Sequence, residues 1–102
     1  MTRDLTRMLK EAQKLEQRLE AVRKALETQT VDGTAGGGAV AVQMNGQRDV
    51  LAVRIDPSVL EGADATMLED LLLSALRDAR QKADELAARE MGSIGAQGIS
   101  GL

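Results

Sequence analysis

Apolar residues recur along this chain in three successive rhythms. From the start they fall at Leu5, Met8, Ala12, Leu15, Leu19, Val22 and Leu26, with spacings that alternate between three and four. That is a heptad repeat, and it predicts one long amphipathic helix from about Arg3 to Glu27. Thr2 is the expected N-cap, and Asp4 sits in the first turn, where a negative charge suits the helix dipole. At 1.5 Å per residue such a helix is roughly 37 Å long. That is long for so short a chain, so part of it should project from the body.

The second rhythm has period two. Val40, Val42 and Met44 alternate with Ala39, Ala41 and Gln43, and Leu51, Val53 and Ile55 alternate with Val50, Ala52 and Arg54. Two alternating runs joined by Asn45-Gly46 predict an antiparallel hairpin with one dry face, its turn built on two residues that tolerate positive φ. Asp56-Pro57 ends the sheet, because proline cannot donate into a ladder. Upstream, Thr28 to Ala35 reads as a weaker edge strand. Its Thr and Val residues favour β structure, while Gly33 and the lack of a clean apolar face count against it. Gly36-Gly37-Gly38 is expected to form a turn or bulge. It lacks the Lys-Ser or Lys-Thr of a phosphate loop, and a strand follows it where a phosphate loop needs a helix.

The third rhythm is helical again, through Leu68, Leu71, Leu72, Ala75, Leu76, Ala79, Ala83 and Leu86. Thr66 and Glu69 match a capping box, so a second long helix should run from Thr66 to about Met91. Before it, Ser58 to Leu60 fits a single turn and 61–65 a loop. Leu71, Leu72 and Leu73 widen the apolar stripe, so this helix can touch both the sheet and a partner. Leu71, Leu72 and Leu76 are the expected dimer contacts. Its outer face carries Asp70, Asp78, Asp84 and Glu85 with Arg77, Arg80, Lys82 and Arg89. The tail, residues 92–102, is glycine-rich and expected to be flexible. The predicted fold is α+β: a long N-terminal helix, a small three-stranded antiparallel sheet and a long C-terminal helix. Residues 1–91 form one domain, with the sheet between the two helices.

Composition narrows the chemistry. The 102 residues include no Cys, His, Phe, Trp or Tyr. Disulfides, thiolate chemistry and the usual nucleophile–base or transition-metal arrangements are therefore excluded. The adjacent carboxylates Glu69/Asp70 and Asp84/Glu85 point about 100° apart on a helix and cannot converge on one atom. Neither calcium-loop spacing nor a cleft for paired carboxylates is evident. An enzyme is not expected, nor a cofactor or bound metal. The N-terminus is charged from the outset, unlike a signal peptide, and no apolar run approaches a membrane span, so the expected location is cytoplasmic. A core of Leu, Val, Ile, Met and Ala in a chain this short is small, and a homodimer is expected to complete it.

Charge changes the picture further. The formal net charge is −3, which by itself argues against a polyanionic partner. It is unevenly spread: +3 over residues 1–24 and −6 over residues 25–102. On the first helix Arg3, Arg7, Lys10, Lys14 and Arg18 fall within a sector about 80° wide, while Glu16, Glu20 and Glu27 lie on another. A solvated face with charge pairs four apart is the bland explanation. A phosphate-binding stripe is the sharper one, and these five residues are the candidate DNA contacts. Without aromatic side chains there is no base-stacking platform, so single strands and RNA are disfavoured. Duplex DNA held through its phosphates, with little sequence preference, suits the composition. An interfacial membrane helix would bring bulkier apolar residues and a more uniformly basic polar face.

The order of these features resembles the YbaB/EbfC family of bacterial nucleoid-associated proteins. The similarity runs from about Leu5 to Gly98. It is carried by Val31-Asp32-Gly33, Ala35-Gly36-Gly37-Gly38, Asn45-Gly46, Val53, Ile55-Asp56-Pro57 and Met67-Leu68-Glu69-Asp70-Leu71. Met8 to Lys14 and Met91-Gly92 also fit. The resemblance implies an α–β–β–β–α subunit, a tweezer-like homodimer, and binding to duplex DNA in the nucleoid with effects on DNA conformation, nucleoid organisation and gene expression. It implies no catalytic residues. Arg77 departs from the Asn that many relatives carry before the shared Asp78. The competing class is a coiled-coil-like protein-interaction adaptor or holdase without DNA contact. The heptads suit both, the sorted stripe favours DNA, and the acidic balance favours the adaptor.

Overall fold

The computed structural model describes the backbone of residues 2–100 and the side chains of residues 3–92. Helix α1 (Thr2–Thr28) is followed by β1 (Thr30–Ala35), a glycine turn at Gly36–Gly38, β2 (Val40–Asn45), β3 (Val50–Ile55), a short α2 (Pro57–Gly62) and the long α3 (Ala65–Ser100). The strands form one antiparallel sheet in the order β1-β2-β3. The α+β architecture is thus as expected, with one change of arrangement. The sheet does not lie between the two long helices. Helix α3 covers one face of β1 and β2, whereas α1 leaves the body and gives the molecule extents of 72 × 20 × 17 Å.

The core sits between sheet and α3. Val40, Val42 and Met44 meet Ala75, Ala79 and Ala83, with Val31, Ala35, Ile55, Leu68, Leu71, Leu72 and Leu76 around them. Alanine at a four-residue interval gives α3 a smooth face that β1 can approach closely. At Gly33 the approach is backbone to backbone: a Cβ there would overlap the Ala79 nitrogen and the Ala75 carbonyl oxygen and lie 2.6 Å from Ala79 Cα. The glycine that counted against a strand is therefore what lets the strand pack. A second, smaller cluster joins α1 to α3 through Val22, Leu26 and Leu86, flanked by Val31 and Ala87.

Several local expectations are corrected. The Asn45-Gly46 turn is longer than two residues: 46–49 connect the strands, and the positive φ in it belongs to Arg48 (69°) and not to Asn45 or Gly46. A register shift places Met44 opposite Val50 and Gln43 opposite Ala52, so Leu51 is the bulged residue and the clean alternation of β3 breaks there. Pro57 ends the sheet and also opens α2, where its fixed φ suits the first helical position; Asp56 caps it by accepting from the Ser58 N–H at 3.0 Å. The cap of α3 is Asp64, which accepts from the Met67 N–H at 2.8 Å, and not Thr66, which lies inside the helix. Helix α3 continues to Ser100, beyond the end expected near Met91. Of the tail expected to be flexible, Gly101 and Leu102 and the side chains of 93–100 lie outside the described residues, as does the Thr2 side chain expected to cap α1. The glycine turn is built on three consecutive left-handed residues, φ 62°, 69° and 94°, which any other residue type would adopt only with strain.

Candidate nucleic-acid interface

The heptad of α1 is only half used. Val22 and Leu26 are buried and Leu19 is half-buried, but Leu5 (58% exposed), Met8 (62%) and Leu15 (47%) are open to solvent. The first four turns or so of the helix therefore stand clear of the body as an arm. Its phase is what the sequence dictates. Arg3, Arg7, Lys10, Lys14 and Arg18 all lie on the exposed arm, along a line roughly 22 Å long at 1.5 Å per residue. Over that distance one strand of a duplex presents about six phosphates.

Arg3, Thr6, Arg7 and Lys10 line an open depression of about 300 Å³. Arg7 also reaches Asp4 at 3.8 Å, an exposed pair worth little in water. Among the described residues Arg3, Lys10, Lys14 and Arg18 take part in no salt bridge, so their charge is not neutralised within the chain. In the body the pattern reverses. Lys82 bridges Asp78 at 3.1 Å and Arg48 bridges Asp84 at 2.7 Å, which spends two of its basic groups on internal partners.

Leu71, Leu72 and Leu76, the expected dimer contacts, are half-buried and pack on the core of their own subunit. Larger apolar exposure lies on β3, where Val50, Leu51 and Val53 are each about half exposed (48%, 52% and 48%). Sequence reasoning treats β3 as a strand with one dry face. The signal it passes over is the unbroken run Val50-Leu51-Ala52-Val53, apolar on both sides, which asks for more cover than one helix supplies.

The sheet's two edges are unlike. At β1 the Thr34 N–H donates to Asp78 Oδ2 at 2.9 Å and the Asp32 carbonyl accepts from Lys82 Nζ at 2.9 Å, so α3 side chains occupy part of that edge. Among the described residues no further strand pairs with β3. The hydrogen bond from Thr34, then the one from Lys82, hold the Asp78 carboxyl below its usual pKa; Ser58 does the same for Asp56.

Among the described residues there is no group of three acidic, His or Cys side chains able to hold a metal, and no helix is long and apolar enough to cross a membrane. Relatives and a family match show where the chain belongs, and a solved structure shares its fold. It is similar to nucleoid-associated proteins of Alkaliphilus metalliredigens (36% identical, covering 97% of this chain and 88% of the relative), Acetivibrio thermocellus (40%, covering 97% and 89%) and Chloroflexus aurantiacus (41%, covering 93% and 94%). Its fold matches the crystal structure of the uncharacterized protein HP0035 from Helicobacter pylori, with a TM-score of 0.74 at 22% identity over 90% of this chain and 95% of that one. The family match itself spans residues 1–99, from the arm through the sheet and along α3, and by it this chain belongs to the YbaB/EbfC DNA-binding family, which is not a family of enzymes.

Proposed function

We propose that this protein binds duplex DNA as a homodimer, with little sequence preference, and so alters DNA conformation, nucleoid organisation and gene expression in the bacterial cytoplasm. One observation carries the reading: five cations share one face of an arm that stands free of an acidic body. A polyanion can approach the stripe without meeting the carboxylates of the body, and a dimer doubles the stripe. Phosphate contact accounts for binding without base readout, which fits a surface that has no aromatic groups to stack on bases. Residues 1–91 supply the binding unit, with 92–102 as an appendage.

The dimer is supported by what the single subunit leaves open. The apolar β3 strand is an uncapped edge, and Leu71, Leu72 and Leu76 border the same core. A second copy laid along β3 would cover both.

Gel retardation on two unrelated duplexes, each at two salt concentrations, tests the reading. If roughly 4–8 phosphates are engaged, log affinity should fall with log salt at a slope of about −4 to −7 on both sequences. Combining Arg7→Glu, Lys10→Glu and Lys14→Glu should abolish retardation. Undiminished binding by that variant would remove the stripe as the contact. A second reading, a protein-interaction adaptor or holdase, is favoured by the exposed seam Leu5, Met8, Ala12 and Leu15. Absence of retardation at low salt would favour it.

A further inference from the structure

The loop between β2 and β3 reaches into the end of α1. Asn45 Nδ2 donates to the Glu27 carbonyl at 3.3 Å, the Gly46 N–H to the Leu26 carbonyl at 2.8 Å, and Gln47 Nε2 to the Arg23 carbonyl at 3.0 Å. The last carbonyls of a helix have no partner within it, and α1 has no basic residue in its final turn to serve them. Asn45 and Gly46 do so for Glu27 and Leu26 from another part of the chain, and Gln47 adds a second bond one turn further back, on the Arg23 carbonyl. The fit is close: a Cβ on Gly46 would lie 2.7 Å from Leu26 Cδ2 and 2.9 Å from the Leu26 oxygen.

The loop is itself braced. Asn45, which is buried, accepts through Oδ1 from the Gln47 N–H at 2.9 Å and the Asp49 N–H at 3.0 Å. Arg48 is held at positive φ, and its Nε meets Asp84 Oδ1 on α3 at 2.7 Å. A chain of contacts therefore runs from α3 through the loop to α1. Beyond it, among the described residues, the arm is retained chiefly by Val22 and Leu26 against α3, with Leu19 and Ala25 half-buried, and by Gln29 Nε2, which donates to Glu90 Oε1 at 3.2 Å. The distance from this neck to Arg7 is about 29 Å along the helix, so a tilt of about 10° at the neck shifts the cations by about 5 Å. That exceeds the 3.4 Å rise of one base step, roughly the interval that phosphate contact has to match.

We infer that Asn45 and Gln47 are positioning residues for DNA binding: they fix the angle at which α1 leaves the body, and so the placement of its cations, without touching the nucleic acid. The inference rests on the reading that the stripe meets DNA. Asn45→Asp keeps the acceptor for the Gln47 and Asp49 N–H groups but loses the donor to Glu27 and to the Asp49 carboxylate, beside which it sets a second negative charge. Gln47→Ala removes the bond to Arg23 from an exposed side chain.

The natural chain has no cysteine, so Gln13→Cys and Ser74→Cys give one spin-labelled pair per chain. Diluting labelled chains into unlabelled ones confines the measured distance to a single subunit. In the Asn45→Asp, Gln47→Ala variant the arm-to-body distance distribution should broaden, DNA affinity at low salt should fall roughly fivefold or more, and the salt slope should become shallower. Gln47→Ala alone, which spares the buried Asn45, should give the same changes at smaller size. An unchanged distribution overturns the inference, and so does a broadened one with unchanged affinity and slope. The charge-reversed arm should keep the narrow distribution while losing DNA. If it keeps DNA, the stripe reading fails by itself, and the distance measurement still decides whether the loop sets the arm.

Discussion

Gly33 is the residue at which β1 and α3 come closest, and it has no side chain to give way. Both groups that a Cβ would strike belong to the α3 backbone, so relief would require moving a strand or a helix and not a rotamer. Gly33→Ala should therefore destabilise the protein by about 3 kcal/mol or more, at the upper end for overpacking. Urea unfolding followed by far-UV circular dichroism measures this, with a retained midpoint as the contrary result. In the sequence this glycine is legible only as a reason to doubt the strand. Its meaning depends on Ala75 and Ala79, more than forty residues away, which become its neighbours only after folding. Asn45-Gly46 is a similar case. The pair announces a hairpin, but its contacts with Glu27 and Leu26 follow from where α1 happens to end.

At the scale of elements, the two long helices are legible in the sequence because their apolar residues keep phase over many turns. Helical phase also fixes which cations share a side, so the stripe from Arg3 to Arg18 follows from residue spacing alone. What phase cannot show is how much of a heptad finds a partner, and in α1 only its last two turns do. The acidic and basic residues of α3 have the pattern of a solvated outer face. Asp78 and Lys82 instead serve the free edge of β1. Because the Thr34 N–H and Lys82 favour the charged form of Asp78, its native pKa lies below the ordinary carboxylate value of 3.8. The stabilisation is complete above the unfolded value and lost as pH falls below it through the native one, since the unfolded chain then binds the proton more readily. Thermal midpoints should accordingly fall as the pH drops below 3.8, and Asp78→Asn should flatten that acid limb. Equal acid limbs for the two proteins would show that the β1 edge does not depend on this carboxylate.

For the whole molecule, charge and shape are divided in the same way: a basic arm and an acidic body. The division is visible in the sequence as +3 against −6, but the separation in space is not, because it depends on α1 standing off the sheet. The body also carries the surfaces we assign to assembly. Val53→Lys on β3 and Leu72→Asp on α3 should each shift sedimentation from dimer to monomer, with the β3 change the cleaner of the two because Leu72 also packs within the subunit. Sedimentation as an unaltered dimer would move the interface elsewhere.

The unequal edges of the sheet have a consequence for stoichiometry. A strand edge is a template that can recruit copy after copy, and fibres arise when both sides of a sheet stay available. Here Asp78 and Lys82 occupy one side with their own hydrogen bonds. In the dimer we propose, copies joined through the other side would consume it in the act of joining, and growth would halt at two.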